Sequence, residues 1–243
     1  MNLNLEGLHV VVTGGSRGIG SAIVEAFLRE GCYVSFCSRN KEFIDKALKE
    51  FSFAESRVSG IELDVRDGKA FSQWLKTLQK IDIFIPNVSA LSGSWDESIE
   101  TDLRATVQNI EAALPYLEQS SHGALTYIAS KAASFPIPDF AAYGAIKASM
   151  IHYMKSLSRK AAKKIRVNVV SPGDTLFPGG FWDNIRKNNP EIYNNVVESN
   201  PMGRLCTPAE VASVVVFLSS PVARYVSGCN WYVDGGATNH IQL

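Results

Sequence analysis

HVVVTGGSRGIGSAIVEAFLRE, residues 9–30, is the stretch that decides the fold of this 243-residue chain. It opens with a short β-branched apolar run, continues through a glycine-rich break, and ends in apolar residues at helical spacing. Ile23, Ala26 and Phe27 share one helix face, and Gly31 follows where a helix C-cap belongs. The pattern therefore predicts a buried strand, a tight turn and a helix.

The turn between this strand and this helix has the chemistry of a phosphate site. A strand that runs directly into a helix leaves unpaired backbone N–H groups at the helix start, where the helix dipole also attracts an anion. Gly14, Gly18 and Gly20 give the turn conformational freedom and let a ligand approach the backbone. Glycines in this context favour a nucleotide site, and a plain structural turn is the alternative.

Short apolar runs alternate with helical patterns along the rest of the chain. Further strands are predicted at 33–38, 59–64, 81–86, 124–130, 166–171 and 230–233, and further helices at 41–51, 69–78, 98–117, 143–163 and 209–218. Such alternation implies right-handed βαβ crossovers. With no linker or repeat to divide it, the chain is predicted as one α/β domain, 1–243. We expect a doubly wound (Rossmann) fold with a mostly parallel sheet of seven strands, which binds ligands beyond the carboxyl ends of its strands.

Composition argues against several classes of protein. The 24 basic and 24 acidic residues give zero net charge and are dispersed, so no nucleic-acid surface is expected. The longest apolar runs, such as residues 211–218, are much shorter than the roughly 18 residues of a membrane span, and no secretory signal is visible at residues 1–7. The cysteines lack metal-ligand spacing, so we expect no metal and the reduced thiols of a cytoplasmic protein.

The spacing Tyr-x3-Lys occurs twice, at Tyr127/Lys131 and at Tyr143/Lys147. Four residues span about 13 Å in a strand, whereas on a helix they rise about 6 Å and share one face. The first pair lies in a predicted strand and the second in a predicted helix. Only the second pair is therefore expected to act together, and Tyr127 is expected to contribute little to catalysis.

Tyr143 can donate a proton to a carbonyl oxygen as a hydride reaches the carbon, or remove that proton from an alcohol in the reverse reaction. A free phenol has a pKa of about 10, and the Lys147 cation nearby would stabilise its anion. Ser130, which ends a predicted strand, can hold the substrate oxygen by a hydrogen bond. Each of these residues alone is more often structural, but together they form a site for proton transfer.

The glycine motif T-G-x3-G-x-G at residues 13–20, together with Ser130 and the Tyr143/Lys147 pair, resembles the short-chain dehydrogenase/reductase family. The resemblance spans residues 7–236 and is broadly to 3-oxoacyl-carrier-protein reductases. It implies a nicotinamide cofactor, a small carbonyl or alcohol substrate, and a homo-oligomer (tetramer or dimer). The resemblance also implies that the predicted helices 98–117 and 143–163 form the interfaces, which would bury apolar positions left over from the sheet.

The end of the second predicted strand bears on the choice of dinucleotide. An acidic residue there usually holds the ribose 2′-hydroxyl of NAD, but this chain has Ser38 followed by Arg39. A hydroxyl and a guanidinium suit a 2′-phosphate, and Arg17 would add a second cation. The sequence therefore predicts NADP(H) ahead of NAD(H), with a solvated surface Arg39 as the alternative.

The resemblance implies further cofactor contacts. Asp64 takes the place of an aspartate that faces the adenine, with an N-cap of the next helix as the alternative. Asn87 matches the second asparagine of the family's N-N-A-G motif, from which Pro86 and Ser89 depart. The full set implied to hold the cofactor is Gly14, Ser16, Arg17, Gly18, Ile19, Gly20, Ser38, Arg39, Asp64, Val65, Asn87, Tyr143, Lys147, Pro172 and Gly173.

Asp102 stands where the family has a fourth catalytic residue, an asparagine that is taken to help hold a water linked to the lysine. Aspartate keeps the size and an acceptor, but it loses the amide donor and adds a charge. We expect Asp102 to pair with Lys147 and to weaken the effect of the lysine on Tyr143. An exposed helix acid is the alternative.

The loop-rich segment 174–204 resembles the substrate lid of this family, with Gly179 and Gly180 as a hinge. Its aromatic residues suggest an apolar or bulky substrate, although packing or a subunit interface would explain them equally well. The predicted function is an NADPH-dependent ketone reductase, which is an alcohol dehydrogenase in reverse. The alternatives are a dehydrogenase of a sugar, steroid or other secondary alcohol, and a catalytically idle NADP-binding regulator.

Overall fold

The computed structural model describes residues 2–239, so residues 1 and 240–243 of the predicted domain lie outside the described part. Its centre is a seven-stranded parallel sheet in the order β3-β2-β1-β4-β5-β6-β7, which confirms the predicted doubly wound α/β fold. The strands are β1 His9–Thr13, β2 Tyr33–Ser38, β3 Val58–Glu62, β4 Ile83–Ile85, β5 Ala124–Ile128, β6 Arg166–Pro172 and β7 Asn230–Val233.

Helices cover both faces of this sheet. They are α1 Gly18–Arg29, α2 Lys41–Glu50, α3 Gly68–Thr77, α4 Trp95–Glu97, α5 Thr106–Leu117, α6 Ala141–Ala161, α7 Phe181–Asn188, α8 Pro190–Ser199 and α9 Pro208–Ser219. A π-helical stretch, Ser98–Ala105, joins α4 to α5, so the predicted helix 98–117 is continuous but has a wide first part. One core contains α1, α2 and α9, and the other contains α3, α5 and α6.

Two of the helices, α7 and α8, lie in the segment that the sequence predicted as loop-rich. In α7, Asp183 pairs with Arg186 and with Lys187 at 2.6 Å each, three and four residues away. Pro190 then opens α8 at a first-turn position. Both helices carry a short apolar stripe that the sequence prediction missed, formed by Phe181, Trp182 and Ile185 in α7 and by Ile192, Tyr193, Val196 and Val197 in α8.

The junction of α1 with β2 agrees with the predicted C-cap. Gly31 has φ of +84°, its N–H donates to the Leu28 carbonyl, and the Cys32 N–H donates to the Phe27 carbonyl. These two hydrogen bonds form a Schellman motif, which turns the chain directly into β2. Cys32 and Cys37 pack into the two different cores, and all four cysteine thiols are free.

Two strands end two residues before their predicted limits. β3 ends at Glu62 rather than at residue 64, and β5 ends at Ile128 rather than at residue 130. Asp64 and Ser130 therefore lie in the loops beyond the carboxyl ends of these strands. In a parallel sheet this is the edge where ligands bind.

The side chains of β5 alternate between the two cores. Leu125 and Tyr127 pack on the side of α5 and α6, whereas Ile128 packs on the side of α1 and α9. Among the described residues of α5 and α6, no large apolar side chain is exposed. Leu114 and Tyr116 of α5 and Ile151 and Tyr153 of α6 are only partly buried, so apolar surface is left on both helices and their role as interfaces stays a prediction. No helix within residues 2–239 is both long and apolar enough to cross a bilayer.

The start of α9 is stabilised by a capping box between Thr207 and Glu210. The Thr207 hydroxyl accepts from the Glu210 N–H, and the Glu210 carboxylate accepts from the Thr207 N–H at 2.8 Å. We expect Thr207→Ala to lower the free energy of unfolding by about 1 kcal/mol, because a helix N–H loses its partner. Urea denaturation measures this loss. The control Ser213→Ala, on the exposed face of the same helix, should cost less than half as much, and equal losses would contradict the capping argument.

Candidate active site

The glycine turn after β1 is shaped for an anion. Gly14 and Gly18 have φ of +70° and +57°, and a Cβ on Gly20 would lie only 2.0 Å from the Gly14 carbonyl oxygen. α1 begins at Gly18 with no side-chain cap and no acidic residue in its first turn. Its first N–H groups and the positive end of its dipole are therefore free of an internal anion. The turn fits the phosphates of the dinucleotide that the sequence predicts.

Asn87, in the loop after β4, fastens this turn to the sheet. Its backbone N–H donates to the Thr13 hydroxyl at 2.9 Å, and its side-chain amide donates to the carbonyls of Thr13 at 3.0 Å and Gly14 at 3.3 Å. Pro86 cannot supply a side-chain hydrogen bond here. Asn87 and Thr13 together therefore stabilise this end of the sheet.

The end of β2 meets the glycine turn on its other side. The Ser16 hydroxyl donates to the Ser38 hydroxyl at 2.8 Å, which joins the turn to the strand end. Arg39 and Arg17 are exposed beside this contact, and the Arg17 guanidinium lies 5.4 Å from the centre of the Phe43 ring. Arg17 and Arg39 therefore lie beside the Ser16 and Ser38 hydroxyls, where the sequence predicts the choice between NADP(H) and NAD(H).

Asp64 lies in the loop after β3 and pairs with Arg66. The Arg66 guanidinium approaches its carboxylate to 2.5 Å, and hydrogen bonds from Arg66, with a smaller contribution from Arg39, lower the pKa of Asp64. The N-cap of α3 is Asp67, whose side chain accepts from the N–H groups of its first turn. The alternative that Asp64 caps this helix is therefore wrong. The neighbouring Val65 carbonyl accepts from the Asn109 side chain at 3.0 Å.

Lys147 is the centre of the second half of the site. Its side chain is 1% exposed, and Nζ donates to the Tyr127 hydroxyl at 3.0 Å and to the Ile128 carbonyl at 3.2 Å. The Asp102 carboxylate oxygen Oδ1 lies 3.3 Å from the same Nζ. Tyr143, one turn before Lys147 on α6, places its ring centre 5.6 Å from the ammonium. The pair that the helix spacing predicted is thus brought together.

Asp102 is buried rather than exposed, so the alternative of a surface acid is wrong. It lies on the π-helical stretch with 0% of its side chain exposed, and Oδ2 accepts from the Ala90 N–H at 3.0 Å. Burial alone would lower the pKa of Lys147. The facing Tyr127 hydroxyl and Asp102 carboxylate outweigh this effect, so that the pKa of Lys147 is raised.

Tyr127 was expected to contribute little to catalysis, but the structure places it against Lys147. The hydroxyl contacts Nζ of Lys147, and burial raises the pKa of Tyr127 to about 12. The strand argument that separates Tyr127 from Lys131 holds, since Lys131 pairs with Asp174 instead. The missed signal is the two-residue alternation of β5, which points Tyr127 toward the layer that contains α6.

Ser130 and the Pro172–Gly173 pair lie at the same edge of the sheet. Ser130 opens a short 3₁₀ turn, Lys131–Ala133, and its hydroxyl accepts from the Ala132 N–H at 3.1 Å. The Gly173 N–H donates to the Val233 carbonyl at 2.9 Å, and a Cβ on Gly173 would lie 2.7 Å from the Asp234 Cα. Only glycine permits this close approach of β6 to the chain after β7.

Segment 174–204 contacts both sides of the predicted site. The Phe181 ring meets Phe140 edge-on at 5.7 Å, so this segment contacts the loop between Ser130 and Tyr143. The Phe177 ring packs on the glycine turn, where a Cβ on Gly18 would come within 2.6 Å of it. The segment therefore covers both the predicted cofactor side and the predicted substrate side.

Comparison with known proteins agrees with this geometry. A family described as Enoyl-(Acyl carrier protein) reductase matches residues 14–238. Isoepoxydon dehydrogenase patN of Penicillium expansum is 38% identical over 252 residues, which cover 97% of this chain and 96% of that protein. The 3-oxoacyl-[acyl-carrier-protein] reductase FabG of Chlamydia pneumoniae is 30% identical and covers 98% of this chain and 100% of its own length. The solved Pseudomonas aeruginosa RhlG/NADP active-site complex has a TM-score of 0.88 at 27% identity, covering 97% of this chain and 98% of that chain.

The fold and site thus define an oxidoreductase that acts on CH–OH or carbonyl groups. This chain belongs to the short-chain dehydrogenase/reductase family.

The buried charge of Asp102 leads to a prediction about pH. A carboxylate opposes a second negative charge nearby, so its removal should let Tyr143 release its proton at lower pH. We expect Asp102→Asn to move the rise of alcohol oxidation toward neutral pH by about one unit, the usual effect of one nearby charge. Initial rates across a pH series measure this shift. The control Asp96→Asn removes an exposed carboxylate from α4 and should leave the profile in place, and an unmoved profile in both variants would contradict the role of Asp102.

Proposed function

We propose that this protein is an NADPH-dependent carbonyl (ketone) reductase, which in reverse is an alcohol dehydrogenase. The observation that supports this most is the placement of Tyr143 beside the buried Lys147 ammonium on α6, at the sheet edge that also carries Ser130. An idle cofactor-binding regulator has no need for a proton donor, a buried cation and a hydroxyl at one edge. The proposed substrates are small ketones and, in reverse, secondary alcohols.

In the proposed reaction the chain's own residues handle the oxygen and its proton. Bound NADPH would supply a hydride to the carbonyl carbon. Ser130 would donate a hydrogen bond to the carbonyl oxygen and hold it beside Tyr143. Tyr143 would then give its proton to that oxygen, and the Lys147 cation would stabilise the resulting phenolate until the proton is replaced from solvent. The aromatic residues of segment 174–204 would exclude water from this step.

The direction of the reaction has one specific rival. The name of patN describes it as a dehydrogenase of isoepoxydon, and its likeness to this chain favours oxidation of a secondary alcohol as a second candidate reaction. Asp102 argues for the reductive direction, because a buried carboxylate near Lys147 opposes the phenolate that alcohol oxidation needs. Rates measured in both directions on matched ketone and alcohol pairs would decide between them.

We also propose a homo-oligomer in the cytoplasm. Enzymes of this family are commonly oligomeric, and this likeness is the support for the first part. The free thiols of all four cysteines suit a reducing compartment, which supports the second part.

The cofactor preference should depend on Arg39. Arg39→Asp should lower the affinity for NADPH about 10- to 100-fold, since a charge-assisted hydrogen bond is worth about 1.5–3 kcal/mol. The affinity for NADH should rise or stay unchanged, because an acid suits a free 2′-hydroxyl. Titration calorimetry with both cofactors gives the two constants. Arg224→Asp reverses an equally exposed charge far along the chain and serves as the control. Equal affinities for the two cofactors in the unaltered protein would overturn the preference.

The proton donor should be Tyr143. Tyr143→Phe keeps the ring and removes only the hydroxyl, so we expect turnover to fall about 100- to 10,000-fold, the usual contribution of a general acid. NADPH binding should change by less than about twofold, because the lost group serves the proton transfer. Loss of NADPH absorbance with a panel of ketones measures turnover. Tyr153→Phe, on the same helix with its hydroxyl on Glu111, is the matched control and should stay fully active.

A Tyr143→Phe variant with normal turnover would show that another group protonates the substrate. No turnover by the unaltered protein on any ketone or alcohol, despite NADPH binding, would favour the idle regulator.

A further inference from the structure

The Lys147 ammonium faces three oxygens from two other elements. They are the Tyr127 hydroxyl and the Ile128 carbonyl on β5, and the Asp102 carboxylate on the π-helical stretch. Of the three donors of the ammonium, two are given to the Tyr127 and Ile128 oxygens, whereas Asp102 Oδ1 pairs with it by charge without a hydrogen bond. We propose that Tyr127 is a positioning residue, which together with these oxygens holds Lys147 inside the protein as a fixed charge facing Tyr143.

This proposal rests on the proposed function for its catalytic meaning, but the holding of Lys147 is a property of the protein alone. Tyr127 is fully buried in the core that also contains α5 and α6. A buried phenol usually needs a hydrogen-bond partner, and here the partner is Nζ at 3.0 Å. The ammonium also lies 4.9 Å from the centre of the same ring, so the ring adds a cation–π attraction.

The two tyrosines near Lys147 have different roles. The ring centre of Tyr127 is 4.9 Å from Nζ and that of Tyr143 is 5.6 Å from it, but only the Tyr127 hydroxyl is hydrogen-bonded to Nζ. Tyr127 is completely covered, and the high pKa that burial gives it keeps it protonated. It can therefore accept from Lys147 at neutral pH without adding a charge. Asp102 supplies the only full negative charge among the three oxygens.

Tyr127 fixes where the Lys147 ammonium lies without using all of its donors. Two of its N–H groups are engaged by the Tyr127 hydroxyl and the Ile128 carbonyl, and Asp102 Oδ1 faces it at 3.3 Å with no hydrogen bond. The third N–H therefore stays available for the cofactor contact that the family resemblance implies. Loss of the Tyr127 hydroxyl would leave this charge less firmly placed.

The first test needs neither substrate nor cofactor. Reductive methylation with formaldehyde and dimethylamine–borane labels lysines that leave their hydrogen bonds, and mass spectrometry gives the rate at Lys147. In Tyr127→Phe this rate should rise about tenfold or more, because one of the two hydrogen-bond acceptors of Lys147 is gone. The control Tyr153→Phe should leave the Lys147 rate unchanged. An unchanged rate in Tyr127→Phe would overturn the proposal.

The second test follows the consequence for catalysis. The titratable groups facing Lys147 are Tyr127, Asp102 and Tyr143. Without the Tyr127 hydroxyl the Lys147 cation is held less firmly and stabilises the Tyr143 phenolate less, so the alkaline limb of carbonyl reduction should move about one unit to higher pH. The kcat should fall about tenfold, while the KM for the ketone changes less than about twofold. A fall in kcat with an unmoved pH limb would indicate a merely structural role and contradict the proposal.

A third measurement covers the case in which Tyr127→Phe does not fold. In a variant that combines Lys147→Met with Asp102→Asn, no charge remains beside Tyr127, and its hydroxyl has lost its hydrogen-bond partner. Adding Tyr127→Phe to that background should then cost little stability, because both partners of the hydrogen bond are removed together. An equally large loss in both backgrounds would overturn the proposal. An absence of turnover in the unaltered protein, by contrast, would refute the proposed function and leave the methylation test decisive.

Discussion

The burial of one ammonium group is the constraint on which the site depends. Removing a charge from water costs several kcal/mol even after the protein relaxes, so the Lys147 cation is tolerated only where oxygens surround it. These oxygens come from β5 and from the π-helical stretch Ser98–Ala105, while the lysine itself comes from α6. Three elements that are far apart in sequence thus meet around one cation. The wide π turn is where Asp102 lies, and such turns are frequent at functional sites.

The loop after β4 couples this charge to the glycine turn. Asn87 at its start donates to Thr13 and Gly14, and Ala90 near its end donates to Asp102, which faces Lys147. Four residues of chain therefore connect the predicted phosphate site with the predicted proton donor. A displacement of either end has to be taken up within this short stretch.

The parts of the molecule that follow from local pattern could be predicted, and the parts that depend on contacts between distant elements could not. The parallel sheet, the glycine turn and the Thr207 capping box are encoded by periodicity and by residues adjacent in sequence. The Tyr143/Lys147 pairing follows from helix spacing alone. Tyr127 was missed because its partner lies 20 residues away on another element, where spacing carries no information.

Helices α7 and α8 were missed for a different reason. Their apolar residues recur at helical spacing, but the helices are only 8 and 10 residues long and are bordered by Gly179, Gly180 and Pro190, so the segment was assigned as loop. The alternative for Asp102 was decided by a tertiary contact, whereas that for Asp64 was decided by its neighbours Arg66 and Asp67. A carboxylate at a given position reads the same in sequence whether it faces solvent, an arginine or a buried lysine.

The two ends of the segment over the site are joined to each other. The Leu176 N–H donates to the Cys206 carbonyl at 2.8 Å, and the Cys206 N–H donates to the Asp174 carbonyl at 2.9 Å, while Asp174 is also paired with Lys131. The segment is thus a closed loop with a single base, much like a flap attached along one side. Its length can change without altering the sheet edge beneath it. Substrate range in this architecture can therefore diverge by insertion or deletion within the flap while the proton-transfer groups stay where they are.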